Sequence, residues 1–262
     1  MNLSISNIAW SAENDTAVYR LMQRHGFTGL EIAPTRIFPE KPYEQISAAA
    51  EWKKQLTAEY GFDTPSMQSI WYGRPERLFG SEEERQALLD YTKAAINFAE
   101  AFGCGNLVFG CPRNRQIPEG ADEDTAVSFF KAAGDYAAEH HSVIAMEANP
   151  PIYHTNFINS TDSAIELIEK VDSPGFLLNL DLGTMIENFE NIAVLAGKER
   201  LIHHVHLSEP GLKPLAMRTI HKELRDFLAQ CGYRKYVSIE MGKTDDLSLL
   251  EEKMIYVKGI FG

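Results

Sequence analysis

The chain has 262 residues and a mass of 29.5 kDa, with 37 acidic against 25 basic side chains and a net charge of -12 at neutral pH. That balance opposes non-specific attraction to phosphate backbones, so a small molecule and not nucleic acid is the expected partner. No apolar run approaches the ~20 residues of a membrane helix. Cys104, Cys111 and Cys231 are odd in number and lack metal-pair spacing, which predicts reduced thiols in a cytoplasmic protein.

Strand-like and helix-like patterns alternate from end to end, as in a series of βα units building a parallel sheet. Residues 1–7 hold no basic segment leading into an apolar block, so no secretion signal is expected. A first strand is predicted over 3–8 and a helix over 15–24 that stops before Gly26. The second strand spans 29–33 and ends at Pro34, and a helix over 43–60 stops at Gly61. The third strand is placed at 64–70. In the next helix, Ser81-Glu82-Glu83-Glu84 fits a capping box, and Leu88, Leu89, Ala95, Ile96, Ala99 and Phe102 give it an apolar face up to Gly103.

A fourth strand over 106–110 and a helix over 122–140, with Gly134 as its weak point, come next. The fifth strand ends at Glu147, a helix covers 163–171, and the sixth strand ends at Asp181. A helix over 188–197, a seventh strand ending at His206, a helix over 214–230 and an eighth strand ending at Glu240 follow, with a terminal helix over 247–258. Eight βα units without a linker or repeat predict one α/β domain over residues 1–262, a (β/α)8 TIM barrel with its site at the C-terminal ends of the strands.

Four of those ends carry chemistry. In Leu201-Ile202-His203-His204-Val205-His206, alternation puts His204 and His206 on one face. Ala145, Asn179 and Ser238 likewise share the face of Glu147, Asp181 and Glu240, while Ile144, Met146, Leu178, Leu180, Val237 and Ile239 face the other way. A closed barrel brings Glu147, Asp181, His206 and Glu240 to one mouth. Three carboxylates there repel one another unless protonated or bound to a cation, and a divalent ion resolves the conflict. Oxygen-rich ligands with one imidazole suit Mn²⁺ first, with Mg²⁺, Co²⁺ or Zn²⁺ behind it.

At this point the chain resembles the xylose isomerase-like TIM barrels, which include sugar and sugar-phosphate isomerases and epimerases, inosose dehydratases and the endonuclease IV group. Gly26-Phe27-Thr28-Gly29-Leu30-Glu31 looks like the second-strand motif of the family. The segment 83–103 with Leu107-Val108-Phe109-Gly110 looks like its third helix and fourth strand. The ordered Glu, Asp, His, Glu on strands five to eight is the specific part. It implies that Glu147, Asp181, His206 and Glu240 are metal ligands and that Glu147 and Glu240 also form the acid/base pair. The activity implied is a metal-dependent isomerase or epimerase of a ketose or sugar phosphate, with proton transfer through an enediolate.

Two alternatives stand beside it: a lyase of the inosose or dehydroshikimate dehydratase type, and a non-catalytic sugar-binding barrel. The endonuclease reading is set aside because Gln68 and Gly110-Cys111 stand where those relatives carry extra histidines. Two departures bear on the substrate: Thr184 replaces a histidine common in the family, and Leu212-Lys213 stand where an arginine is common. Glu31, Gln68, Trp71, Arg113, Asn149, His154 and Lys213 are the substrate-binding candidates, as amide, aromatic and charged groups near strand ends. A homo-oligomer, dimer or tetramer, is expected on general grounds.

Overall fold

Period-two alternation within the apolar runs and 3.6-residue patterning between them build a ring of parallel strands wrapped by helices. The computed structural model describes residues 1–262. Its strands are β1 (Asn2–Ser6), β2 (Gly29–Glu31), β3 (Asn106–Phe109), β4 (Val143–Glu147), β5 (Phe176–Asp181), β6 (Ile202–Leu207) and β7 (Tyr236–Ile239). All neighbours are parallel, in the order β2-β1-β7-β6-β5-β4-β3. The helices are α1 (Asp15–His25), α2 (Pro34–Ile37), α3 (Ile46–Tyr60), α4 (Glu82–Ala101), α5 (Asp124–Glu139), α6 (Thr161–Val171), α7 (Leu182–Glu187), α8 (Thr219–Gln230) and α9 (Leu247–Phe261). None is long and apolar enough to cross a membrane.

The strand expected over 64–70 does not form as a regular strand. Pro65 has no N–H to give, and Ser69 turns the backbone into the left-handed region at φ 57°. Residues 63–68 instead bridge the two sheet edges. On the β2 side Leu30 N donates to Asp63 O at 2.9 Å and Gln68 N to Ile32 O at 2.8 Å. On the β3 side Met67 N donates to Asn106 O at 2.9 Å and Val108 N to Met67 O at 2.8 Å. The TIM barrel therefore closes through an irregular eighth stave, and the expected strands five to eight are β4 to β7.

The helix expected over 188–197 is replaced as well. The Asp181 side chain accepts from Thr184 N at 2.6 Å and starts α7 at once, and Asn191 caps a single 3₁₀ turn, Ile192–Leu195. The helix placed at 214–230 starts only at Thr219. The capping box of α4 forms as read, with Ser81 and Glu84 bonded reciprocally. Gly134 is a close-approach position: a Cβ on the facing Gly175 would lie 2.0 Å from the Gly134 carbonyl oxygen. Two glycines thus let α5 settle on the start of β5, where Phe130 stacks on Phe176 with centroids 4.7 Å apart.

The outward strand faces pack on the helices through one contiguous core that includes Ile144, Met146, Leu178, Leu180, Val237 and Ile239. The barrel interior is different. Ser4, Ser6, Glu31, Ser66, Gln68, Asn179, His204, His206 and Ser238 are all buried, so its lumen is polar, and each of these groups seeks a partner there.

Candidate metal centre

Barrel closure places the ends of β4, β5, β6 and the residue after β7 side by side. Glu147, Asp181, His206 and Glu240 each offer a ligand atom there, and these atoms all lie within 4.8 Å of one another. His206 Nδ1 stands 3.0 Å from Glu147 Oε2 and 3.3 Å from Glu240 Oε2. All four are nearly or fully buried.

Neighbouring side chains fix each carboxylate. Glu147 Oε2 accepts from Asn179 Nδ2 at 2.7 Å and Oε1 from Asn149 Nδ2 at 2.9 Å. Asp181 Oδ2 accepts from Ser208 Oγ at 2.5 Å while Oδ1 caps α7. Behind the group, fully buried Glu31 accepts from His206 Nε2 through Oε2 at 2.9 Å and from Gln68 Nε2 through Oε1 at 3.0 Å. His204 Nε2 comes within 3.0 Å of the same Glu31 oxygen but out of hydrogen-bonding line, so that contact is electrostatic only.

The charges are out of balance. Burial, then the carboxylates of Glu147 and Glu240, push Asp181 up to about 7. Burial and the nearby carboxylates also raise Glu240, against the lowering effect of His206. His206 is itself held above its ordinary value, since Glu31 and Glu240 outweigh the burial that lowers it. Burial would raise Glu31, but His206 and His204 bring it well below the usual carboxylate range. A buried trio of acids with one imidazole and no lysine or arginine on its oxygens is a donor set that fits a hard divalent cation. With Glu31 accepting at Nε2, Nδ1 of His206 is turned to the carboxylates, and once it gives up its proton its lone pair would point where a metal-ligating histidine requires.

The four residues line a pocket of about 160 Å³, or stand directly behind it, together with Gln68, Ser69, Val108, Gly110, Cys111, Asn149, Tyr153 and Leu212. A Cβ on Gly110 would meet Glu147 Oε1 at 3.0 Å, so this glycine keeps the pocket open. Of the candidate substrate contacts, Gln68 and Asn149 lie in the pocket wall, and Glu31 lies beneath it. Trp71 is buried against Phe109 and Phe129 and donates to Thr92 Oγ1 at 2.8 Å, outside the barrel lumen. Arg113 and His154 are exposed and do not line the pocket, and Lys213 faces a separate hollow beside Met185 and Phe189. Thr184 is buried, its hydroxyl donating to Ala148 O at 2.7 Å.

Sequence reading missed Arg115 and Tyr153. Arg115 is fully buried and donates to Glu147 O at 2.8 Å, Asn149 Oδ1 at 3.0 Å and Ile158 O at 3.2 Å, so it braces the backbone that presents Glu147. Burial lowers its guanidinium only to about 10, which leaves it charged. The 3₁₀ turn Pro112–Asn114 decides that Arg115 and not Arg113 turns inward, and no periodic pattern announces such a turn.

The family described as xylose isomerase-like TIM barrel matches residues 19–259. A comparison with curated proteins finds no match. Among solved structures, D-psicose 3-epimerase from Clostridium cellulolyticum H10, solved with D-tagatose, superposes with a TM-score of 0.80 at 15% identity, covering 100% of this chain and 99% of that one. The 3-keto-D-glucoside 4-epimerase from E. coli gives 0.77 at 18% identity and 99% of both chains. An AP endonuclease, family 2, from Brucella melitensis gives 0.75 at 20% identity and 98% of both. Such identities speak to shared fold, and the family match over nearly the whole length goes further. The chain belongs to the xylose isomerase-like TIM barrel family.

Proposed function

We propose that the protein is a divalent-metal-dependent isomerase or epimerase of a ketose. The observation that carries this reading is the convergence of Glu147, Asp181, His206 and Glu240 within 4.8 Å at the wall of a small polar pocket. These four residues would hold the ion, Mn²⁺ by preference, and the ion would supply Lewis acidity to the substrate's carbonyl oxygen. The epimerases among its structural neighbours support the reading.

Glu147 and Glu240 act as the acid/base pair. They come from β4 and from the end of β7, with β5 and β6 between them in the ring, so they approach a bound sugar from different sides. One carboxylate, ionised, takes the proton from the carbon beside the carbonyl and keeps it, and the other, holding a proton of its own, delivers that one to the opposite face; exchange with water resets the pair. Asn149 and Asn179 hold both oxygens of Glu147 in place, and Gln68 and Asn149 offer amide groups to substrate hydroxyls.

The test is proton exchange in D₂O. With Mn²⁺-loaded protein and a panel of ketoses, NMR should show deuterium entering next to the carbonyl, with a new epimer or isomer and no loss of water. Glu147→Gln and Glu240→Gln should each abolish it. Continued turnover in Glu147→Gln would refute the proton-transfer assignment, and a dehydrated, conjugated product would make the protein a lyase.

A further inference from the structure

A second, larger hollow opens on the same face of the barrel, with a volume of about 990 Å³. Loops after β1, β2, residues 63–68 and β7 build it, and Ser69 belongs to both its wall and that of the metal pocket. The metal pocket alone, at about 160 Å³, falls below the roughly 300–1,000 Å³ of a small-molecule site. The groove supplies the missing room.

Charge in the groove selects the occupant. Arg36, Lys41, Arg74 and Lys243 stand in the wall. Arg36 pairs with Asp15 at 2.5 Å and lies 5.5 Å over Trp10. Arg74 grips both oxygens of Glu76 and lies 4.7 Å over Tyr91, and Lys41 pairs with Glu44 at 2.9 Å. Only Lys243 has no carboxylate partner, and Glu13 and Asp245 line the same wall. With the partners Asp15, Glu44 and Glu76 and the wall's own Glu13 and Asp245 set against these four cations, the groove carries no net positive charge for a phosphate.

The groove does present one free aromatic face. Tyr72 is 70% exposed there, and its backbone N donates to Ser69 O at 2.9 Å. Ser69 itself holds the costly left-handed conformation where pocket and groove meet. A neutral ring stacked on Tyr72, with hydroxyls near guanidinium N–H groups, suits these walls; an anion does not.

We infer that this groove is a subsite for a second, uncharged ring joined to the sugar at the metal pocket, so that the substrate is a keto-sugar glycoside or keto-disaccharide and not a sugar phosphate. The inference rests on the ketose reading above and narrows it.

Calorimetry and saturation-transfer NMR on the Mn²⁺-loaded protein test it, with D-fructose, D-fructose 6-phosphate and the glucosyl-fructoses isomaltulose, turanose and leucrose as probes. At least one disaccharide should bind about tenfold more tightly than fructose or better, with saturation reaching its glucose ring. Tyr72→Ala, a change at an exposed side chain, should erase that advantage. Tighter binding of fructose 6-phosphate, no gain from the second ring, or an advantage that survives Tyr72→Ala would overturn the inference while fructose binding keeps the ketose reading intact. Binding of no sugar by protein that retains Mn²⁺ would overturn both.

Discussion

Glu31→Gln probes how the metal centre is held. In the wild type one Glu31 oxygen accepts from His206 Nε2 at 2.9 Å and the other from Gln68 Nε2 at 3.0 Å, with no solvent exposure. Glutamine fills the same volume but carries one acceptor. Whichever way its amide turns, an NH₂ group faces a second donor in the dry lumen. Loss of the charge-assisted bond costs about 1.5–3 kcal/mol, and loss of an outer partner of a ligating histidine lowers metal affinity about 10–100-fold. The two agree, since a tenfold change is about 1.4 kcal/mol. Calorimetric titration with Mn²⁺ reads the affinity, and ¹⁵N-correlated NMR of the His206 ring reads whether Nε2 still carries the proton. Thermal unfolding confirms that the barrel stays folded. A dissociation constant within about threefold of wild type, with the ring tautomer unchanged, would refute the role given to Glu31.

Proton linkage gives a second prediction. Asp181 is raised to about 7 in the metal-free fold, so between its ordinary range and that value the native state holds a proton the unfolded chain has lost. Metal-free wild type should therefore lose stability relative to Asp181→Asn as pH rises from about 4 to 7, and parallel melting curves across that range would detect the opposite sign. Mn²⁺ affinity should rise with pH through the upper part of the same range, as the ion displaces the Asp181 proton to solvent, and a pH-independent titration would contradict it. Arg115→Ala strips partners from the carbonyls of Glu147 and Ile158 and should cost about 3 kcal/mol in urea unfolding; an unchanged midpoint would show that the brace is dispensable. Gly175→Ala drives a methyl into the Gly134 carbonyl and should cost at least about 1–3 kcal/mol, which the same assay measures.

The barrel was legible in the chain because its cause is local and periodic. Strands buried on both faces read as short apolar runs, and the outward set Ile144, Met146, Leu178, Leu180, Val237 and Ile239 separates from the inward polar set by alternation alone. Convergence of Glu147, Asp181, His206 and Glu240 follows once a parallel ring is granted, since strand ends of one ring meet at one mouth. Boundaries were less legible where a single residue overrides a pattern: Pro65 breaks the third strand into bridges, and the Asp181 cap starts α7 before the apolar periodicity does.

Contacts of no fixed sequence spacing belong to the tertiary structure. Glu31 and His206 are 175 positions apart, yet their hydrogen bond orients the imidazole, and it moves Glu31 from the pocket wall to beneath it. A turn of three residues sends Arg115 inward and leaves Arg113 in solvent, while helix packing takes Trp71 out of the lumen. Alternation determines which face a side chain occupies. Which neighbour it meets there, and whether that neighbour leaves room for a ligand, is decided by how the closed ring packs side chains from distant strands against one another.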